Sequence, residues 1–118
     1  MHRAVKMKTS GSHVLADVWL SEYEDEMEGL IAKVELALAT SGMTVLGKVV
    51  HDFGGKAFTG VWLLSESHMS IHTFPERNFM NIDCFTCGDQ GQPLLCVGDL
   101  IKGLQVDSAK IQILKRGE

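Results

Sequence analysis

The stretch Phe58-Thr59-Gly60-Val61-Trp62-Leu63-Leu64-Ser65-Glu66-Ser67-His68-Met69-Ser70-Ile71-His72-Thr73-Phe74-Pro75 decides the fold. Residues 58–64 are apolar on both faces, as expected of a central strand. Residues 67–73 alternate with a period of two. His68, Ser70 and His72 share one face, and Met69, Ile71 and Thr73 share the other. Pro75 has no N–H to give to a ladder and ends the run. The two segments together read as one long, interrupted strand.

Working outward, residues 44–52 form a valine-rich strand, joined to residue 58 through the turn Gly54-Gly55-Lys56. Residues 13–20 and 79–86 also alternate as strands, and residues 106–114 give a final one. Between residues 21 and 42 lies the strongest helix signal. Ser21-Glu22-Tyr23-Glu24 has the form of a capping box, and Gly42 supplies a stop. Tyr23, Met27, Leu30, Ile31, Val34 and Leu38 make one apolar face, while Glu22, Glu24, Asp25 and Glu26 suit the positive end of the helix dipole. Residues 93–104 form a second amphipathic helix, weakened by Gly98 and Gly103. The order β-α-β-β-β-α-β implies an α+β two-layer sandwich. It has a mainly antiparallel sheet with two helices packed on one face. Residues 1–118 read as a single domain, with residues 1–10 as a loose polar tail and Met7 as an alternative start.

With 118 residues, the chain suits one modest core. Any enzyme site is then expected at an edge or a subunit interface. The net charge of −4 argues against a general nucleic-acid binder. No apolar run is long enough to span a membrane, and the N-terminal residues lack the apolar core of a secretory signal. Three cysteines make a disulfide framework improbable and point to a reducing cytoplasm.

The chemistry-bearing residues concentrate between Ser65 and Gly88. His68-x3-His72 with Cys84-x2-Cys87 imitates a zinc set, but on a strand the two histidines stand roughly 13 Å apart. Cys84 and Cys87 also have opposite strand parity. A thioredoxin-type role for Cys84-x2-Cys87 needs a helix to follow, and Gly88-Asp89-Gln90-Gly91 reads as a turn. Cys84 and Cys96 read as buried, small apolar residues. No metal site is expected.

A third reading rests on a resemblance. Glu66-Ser67-His68, then Ile71-His72-Thr73-Phe74-Pro75-Glu76, then Asp83-Cys84-Phe85-Thr86-Cys87-Gly88 resembles the prokaryotic S-adenosylmethionine decarboxylase proenzyme family. The match is dense from Ser65 to Gly88 and looser over most of the chain. It implies self-cleavage between Glu66 and Ser67, giving chains 1–66 and 67–118. In that scheme Ser67 attacks the Glu66 carbonyl and becomes a covalent pyruvoyl cofactor, which holds the substrate amine as a Schiff base.

The resemblance also implies roles for other residues. His72 matches the base of processing, Thr59 stands where the family has a processing serine hydroxyl, and Cys87 matches the proton donor. Phe53, Phe74 and Glu76 match the positions that hold the nucleoside. The implied function is pyruvoyl-dependent decarboxylation of S-adenosylmethionine for spermidine synthesis, in a homodimer with interface active sites. Departures include Thr59 for serine, Phe74 for tryptophan, and Arg77-Asn78-Phe79-Met80 in place of Tyr-Gly-Tyr-Ala. Two alternatives stay open: the same chemistry on ornithine or arginine, and an unprocessed regulatory paralogue.

Overall fold

The computed structural model describes residues 10–87 and 92–117. The expected tail at residues 1–9 and the turn at residues 88–91 lie outside them. The elements run β1 (Gly11–Leu20), α1 (Met27–Thr40), β2 (Val45–Gly54), β3 (Ala57–Leu64), β4 (Ser67–Phe74), a 3-10 turn (Pro75–Arg77), β5 (Phe79–Cys87), α2 (Pro93–Lys102) and β6 (Val106–Arg116). The six strands form one sheet in the order β2-β3-β4-β5-β1-β6. Every adjacent pair is antiparallel. The α+β sandwich expected from the sequence is the observed architecture.

Its core lies between one face of the sheet and the two helices. Val14, Ala16 and Val18 of β1, Phe58 and Trp62 of β3, Met69 and Ile71 of β4, and Met80, Ile82 and Cys84 of β5 are all buried. They meet Leu30, Val34, Ala37 and Leu38 of α1 and Cys96, Val97 and Leu100 of α2. Period-two alternation thus places one side of each central strand against helices of period 3.6. Gly60 allows the largest of these side chains to seat, since a Cβ there would meet the Trp62 ring at 2.8 Å.

Two expectations are corrected. The run from residue 58 to 73 is not one interrupted strand but the hairpin β3–β4, in which Leu64 pairs with Ser67 across the turn Ser65-Glu66. Leu64 and Ser67 are both buried although three residues apart, so the burial phase flips between them. A continuous strand cannot do that. The capping box at Ser21 also fails to form. Helix α1 starts at Met27, and its N-cap, Glu26, makes no side-chain bond. Ser21 is instead tied to the chain that follows α2, its backbone N–H and its hydroxyl both donating to the Gln105 carbonyl. Tyr23 N–H donates to Asn78 Oδ1 at 3.1 Å. These bonds hold the acidic segment ahead of the helix.

Candidate active site

The face of the sheet away from the helices carries no layer of its own among the described residues. Pairing register sorts it into rows. His51, Thr59, His72, Asn81, Asp17 and Lys110 lie across from one another on β2, β3, β4, β5, β1 and β6. Toward the β3–β4 turn comes the row Leu63, His68, Phe85, His13 and Leu114. At the opposite margin the rings of Phe74, Phe79 and Trp19 form a ladder, with centroid separations of 5.8 and 5.1 Å.

Ser67 opens β4. Glu66, just before it, has φ of +56°, a left-handed conformation that costs a residue with a Cβ about 1–2 kcal/mol. The β4–β5 ladder extends to this peptide, because Cys87 N–H donates to the Glu66 carbonyl at 3.3 Å. Ser67 is buried, and its Oγ has no hydrogen-bond partner among the described residues. A buried hydroxyl without a partner is costly, so its retention points to a chemical use. Cys87, half-buried, projects on the opposite face from the Ser67 side chain, beside the Glu66–Ser67 peptide.

Five residues along β4, His72 is exposed on the open face, and a hydrogen bond of 3.2 Å joins its Nδ1 to Thr59 Oγ1. Phe53 is 65% exposed and Phe74 is 37% exposed. Glu76 is exposed in the 3-10 turn that follows β4.

The structure therefore brings together Glu66, Ser67 and Cys87 at one end of the hairpin, and Thr59 with His72 near the other. It does not bring the two groups together. Five residues at about 3.3 Å each separate Ser67 from His72 by roughly 16 Å, and their odd spacing points them to opposite faces.

Cys84 and Cys96 are both fully buried in the core, as expected for small apolar residues. The hydrogen bond that the Cys84 thiol gives to Cys96, together with burial, pushes the Cys84 thiol up, so it stays protonated. His68 and His72 lie four pairs apart along β4, and Cys84 points away from Cys87. A groove of about 600 Å³ runs between α2 and β6 on the helix-bearing side, and none of the site residues line it.

Three contacts on the open face escaped the sequence reading. His13 Nε2 lies 3.0 Å from Asp83 Oδ1, Asn81 Nδ2 donates to Asp17 Oδ1 at 2.9 Å, and the Arg116 guanidinium sits 5.2 Å from the centre of the Phe85 ring. All join strands distant in sequence. Periodicity assigns a residue to a face but does not name its neighbour across the ladder.

Comparison with known proteins gives a consistent result. The profile of the S-adenosylmethionine decarboxylase family matches residues 12–117. An S-adenosylmethionine decarboxylase proenzyme of Methanococcus maripaludis is 34% identical over 113 residues, covering 94% of this chain and 93% of the relative. An S-adenosylmethionine decarboxylase proenzyme 2 of Bacillus cereus is 36% identical over 115 residues, covering 96% and 94%. The crystal structure of the adenosylmethionine decarboxylase from Aquifex aeolicus superimposes with a TM-score of 0.84 at 31% identity, covering 94% of this chain and 93% of that one. Matched in sequence along nearly its whole length and in the layout of its sheet and helices, the chain belongs to the S-adenosylmethionine decarboxylase family.

Proposed function

We propose that this chain is a proenzyme that cleaves itself between Glu66 and Ser67 and then decarboxylates S-adenosylmethionine, supplying the aminopropyl donor for spermidine synthesis. The observation that carries the reading is the Glu66–Ser67 peptide. It combines a left-handed backbone, a buried hydroxyl without a partner among the described residues and a carbonyl that already receives an N–H from Cys87.

Ser67 Oγ attacks the Glu66 carbonyl carbon. The C–N bond breaks, the nitrogen takes a proton, and an ester remains. Negative charge develops on the Glu66 oxygen, where the Cys87 N–H already points. A base then removes the Ser67 Cα proton, and the Glu66 carboxylate leaves as the Cβ–O bond breaks. Addition of water and loss of ammonia turn residue 67 into a pyruvoyl group. His72 suits the base, since Thr59 occupies its Nδ1 and leaves Nε2 for the proton.

The pyruvoyl group would supply an electrophilic ketone that accepts the substrate amine and the electrons left when CO2 departs. Residue 67 would carry it, and Cys87, bonded through its N–H to the Glu66 carbonyl and open on the other side of the sheet, would return a proton to the substrate carbon. Phe53 and Phe74 offer aromatic faces to the adenine and the sulfonium, and Glu76 accepts bonds from the ribose hydroxyls.

Because His72 lies so far from Ser67 in its own chain, the complete site takes both groups from a homodimer. The open face suits such a partner. Val49, Val61, Leu63, Phe53 and Leu114 are exposed on it, with Val49 at 75%. Apolar surface of this extent marks an association site. A two-fold axis between facing sheets would bring Thr59 and His72 of the partner subunit over Cys87 and the backbone of the Glu66–Ser67 peptide, on the open side of the sheet, and would form two equal sites.

Thr59 keeps its hydroxyl on His72, which supports processing over an inert regulatory role. The exposed aromatic faces and Glu76 favour a nucleoside-bearing substrate over ornithine or arginine. The test offers carboxyl-labelled S-adenosylmethionine, ornithine and arginine to the purified protein. Release of labelled CO2 from the first alone is expected, and release from either of the others alone would overturn the assignment.

A further inference from the structure

Resting on that reading of Ser67 as the nucleophile, we infer that Thr86 holds the Ser67 hydroxyl for its attack on the Glu66 carbonyl, as a positioning residue of self-cleavage. Ser67 on β4 and Thr86 on β5 are direct partners in the ladder. Both side chains are buried on the helix-bearing face, at 7% and 1% exposure.

The pattern of backbone bonds brings these two side chains close. Cys87 N–H donates to the Glu66 carbonyl, so residues 66 and 87 occupy a hydrogen-bonded position of the antiparallel ladder. The next pair, Ser67 and Thr86, then occupies a non-hydrogen-bonded position, where Cα atoms approach to about 4.5 Å and side chains stand nearest. Hydroxyl side chains paired in this way form hydrogen bonds across sheets.

The other neighbours of Ser67 on the buried face are Leu64 on β3, Met69 along β4 and Cys84 diagonally across on β5. Leu64 has no polar atom. Cys84 gives its hydrogen bond to Cys96, and Cys96 gives one to the Met69 sulfur at 4.0 Å. Ser12 lies one strand beyond Thr86 and receives an N–H from Lys115 Nζ at 2.8 Å. Among the described residues, Thr86 is therefore the hydroxyl that adjoins Ser67.

A rotation about χ1 redirects the Ser67 hydroxyl from one staggered position to another. Threonine is stiff at the same bond, so it presents a fixed acceptor. The Ser67 O–H donates to Thr86 Oγ1, and a lone pair of Ser67 Oγ is left for the Glu66 carbonyl carbon. Thr86 keeps its own proton. The Ser67 proton passes to the Ser67 nitrogen as the C–N bond breaks and the bond from Oγ to the carbonyl carbon forms. At the elimination the Cβ–O bond breaks, and Oγ departs within the Glu66 carboxylate. Thr86 then has no hydroxyl left to hold, so its part ends before substrate binds. That timing separates positioning from support of the fold.

The test follows cleavage of freshly translated chains by intact mass. Thr86→Val keeps the shape and loses the hydroxyl, and it should be cleaved about 10–10² times slower, the cost of a misplaced reacting group. Thr86→Ala, which adds no methyl in its place, should be slow in the same way. Thr86→Ser should stay within about three-fold of the parent, since it keeps the hydroxyl. Per cleaved chain, kcat for CO2 release should fall far less than the cleavage rate in every variant. Co-expression with a Ser67→Ala chain should leave the Thr86→Val chain slow, because Thr86 acts within its own chain. Parent rates in Thr86→Val and Thr86→Ala, a Thr86→Ser as slow as they are, equal losses of cleavage and kcat, or rescue by the Ser67→Ala chain would overturn the inference. A parent that is neither cleaved nor able to release CO2 would overturn the functional reading itself, and this inference with it.

Discussion

Oγ1 of Thr59 lies 3.2 Å from Nδ1 of His72, in a register that pairs the two residues directly across β3 and β4. A methyl group in addition to the hydroxyl has not separated them. The hydroxyl is therefore the part that matters. Thr59→Ser should be cleaved at least as fast as the parent. Thr59→Val, which keeps the shape and loses the bond, should be cleaved slower by up to about 10², because His72 loses the contact that orients it as a base. A time course of the two fragments on a denaturing gel measures both. Equal rates for Thr59→Val and the parent would remove Thr59 from the mechanism.

The distance from Ser67 to His72 allows a test of the dimer. Chains with Ser67→Ala or His72→Asn alone should stay whole. Co-expressed, they should form mixed dimers in which the intact Ser67 of one chain meets the intact His72 of the other. Cleavage of the His72→Asn chain, read by mass, is then expected in the mixture. Its absence from mixed dimers that do form would place the whole site within one chain.

Much of this arrangement is legible in the sequence. Alternation assigns His68 and His72 to the open face and Met69 and Ile71 to the core, because a strand has only two sides. The hairpin turn is harder to read, since Ser65-Glu66 carries no glycine, proline or asparagine to announce it. Its one signal is the change of burial phase from Leu64 to Ser67. The capping box at Ser21 misleads for a different reason. Ser21 finds a stronger claim on its hydrogen bonds at Gln105, 84 residues away, which no local pattern can show. The separation of Ser67 from His72 is in the sequence once strand geometry is applied: two residues five apart along a strand cannot meet. The contact of Arg116 with the Phe85 ring is not, because it depends on the order of strands in the sheet.

Packing around Trp62 gives a stability prediction. A methyl group at Gly60 would enter the Trp62 ring, and the backbone on either side is fixed by ladder bonds. Gly60→Ala should therefore lower stability by about 1–3 kcal/mol, the range for an overpacked core. Urea unfolding of the uncleaved Ser67→Ala background, in which the chain is continuous, measures it. A variant as stable as that background would show that Trp62 can move aside freely.

Glu35 links α1 to the edge of the sheet. Its Oε2 accepts hydrogen bonds from Lys48 Nζ at 2.8 Å and from Trp62 Nε1 at 3.0 Å. The bond from Lys48, then that from Trp62, holds its carboxyl below the ordinary value of 4.5. A depressed pKa in the folded state means that the unfolded chain binds the proton more readily. The stabilisation is present above that ordinary value and is lost as pH falls through the folded one. Unfolding free energy should therefore decline below pH ~4.5, and Glu35→Gln should flatten part of that slope. An identical slope in the variant would show that these bonds contribute nothing.

The central claim is that the Glu66–Ser67 peptide breaks itself. The intact mass of freshly purified protein tests it most directly. Two components are expected, one ending at Glu66 and one beginning at residue 67, the latter lighter than its encoded sequence by the change from serine to pyruvoyl. A single full-length mass in a preparation that releases CO2 from S-adenosylmethionine would contradict the account.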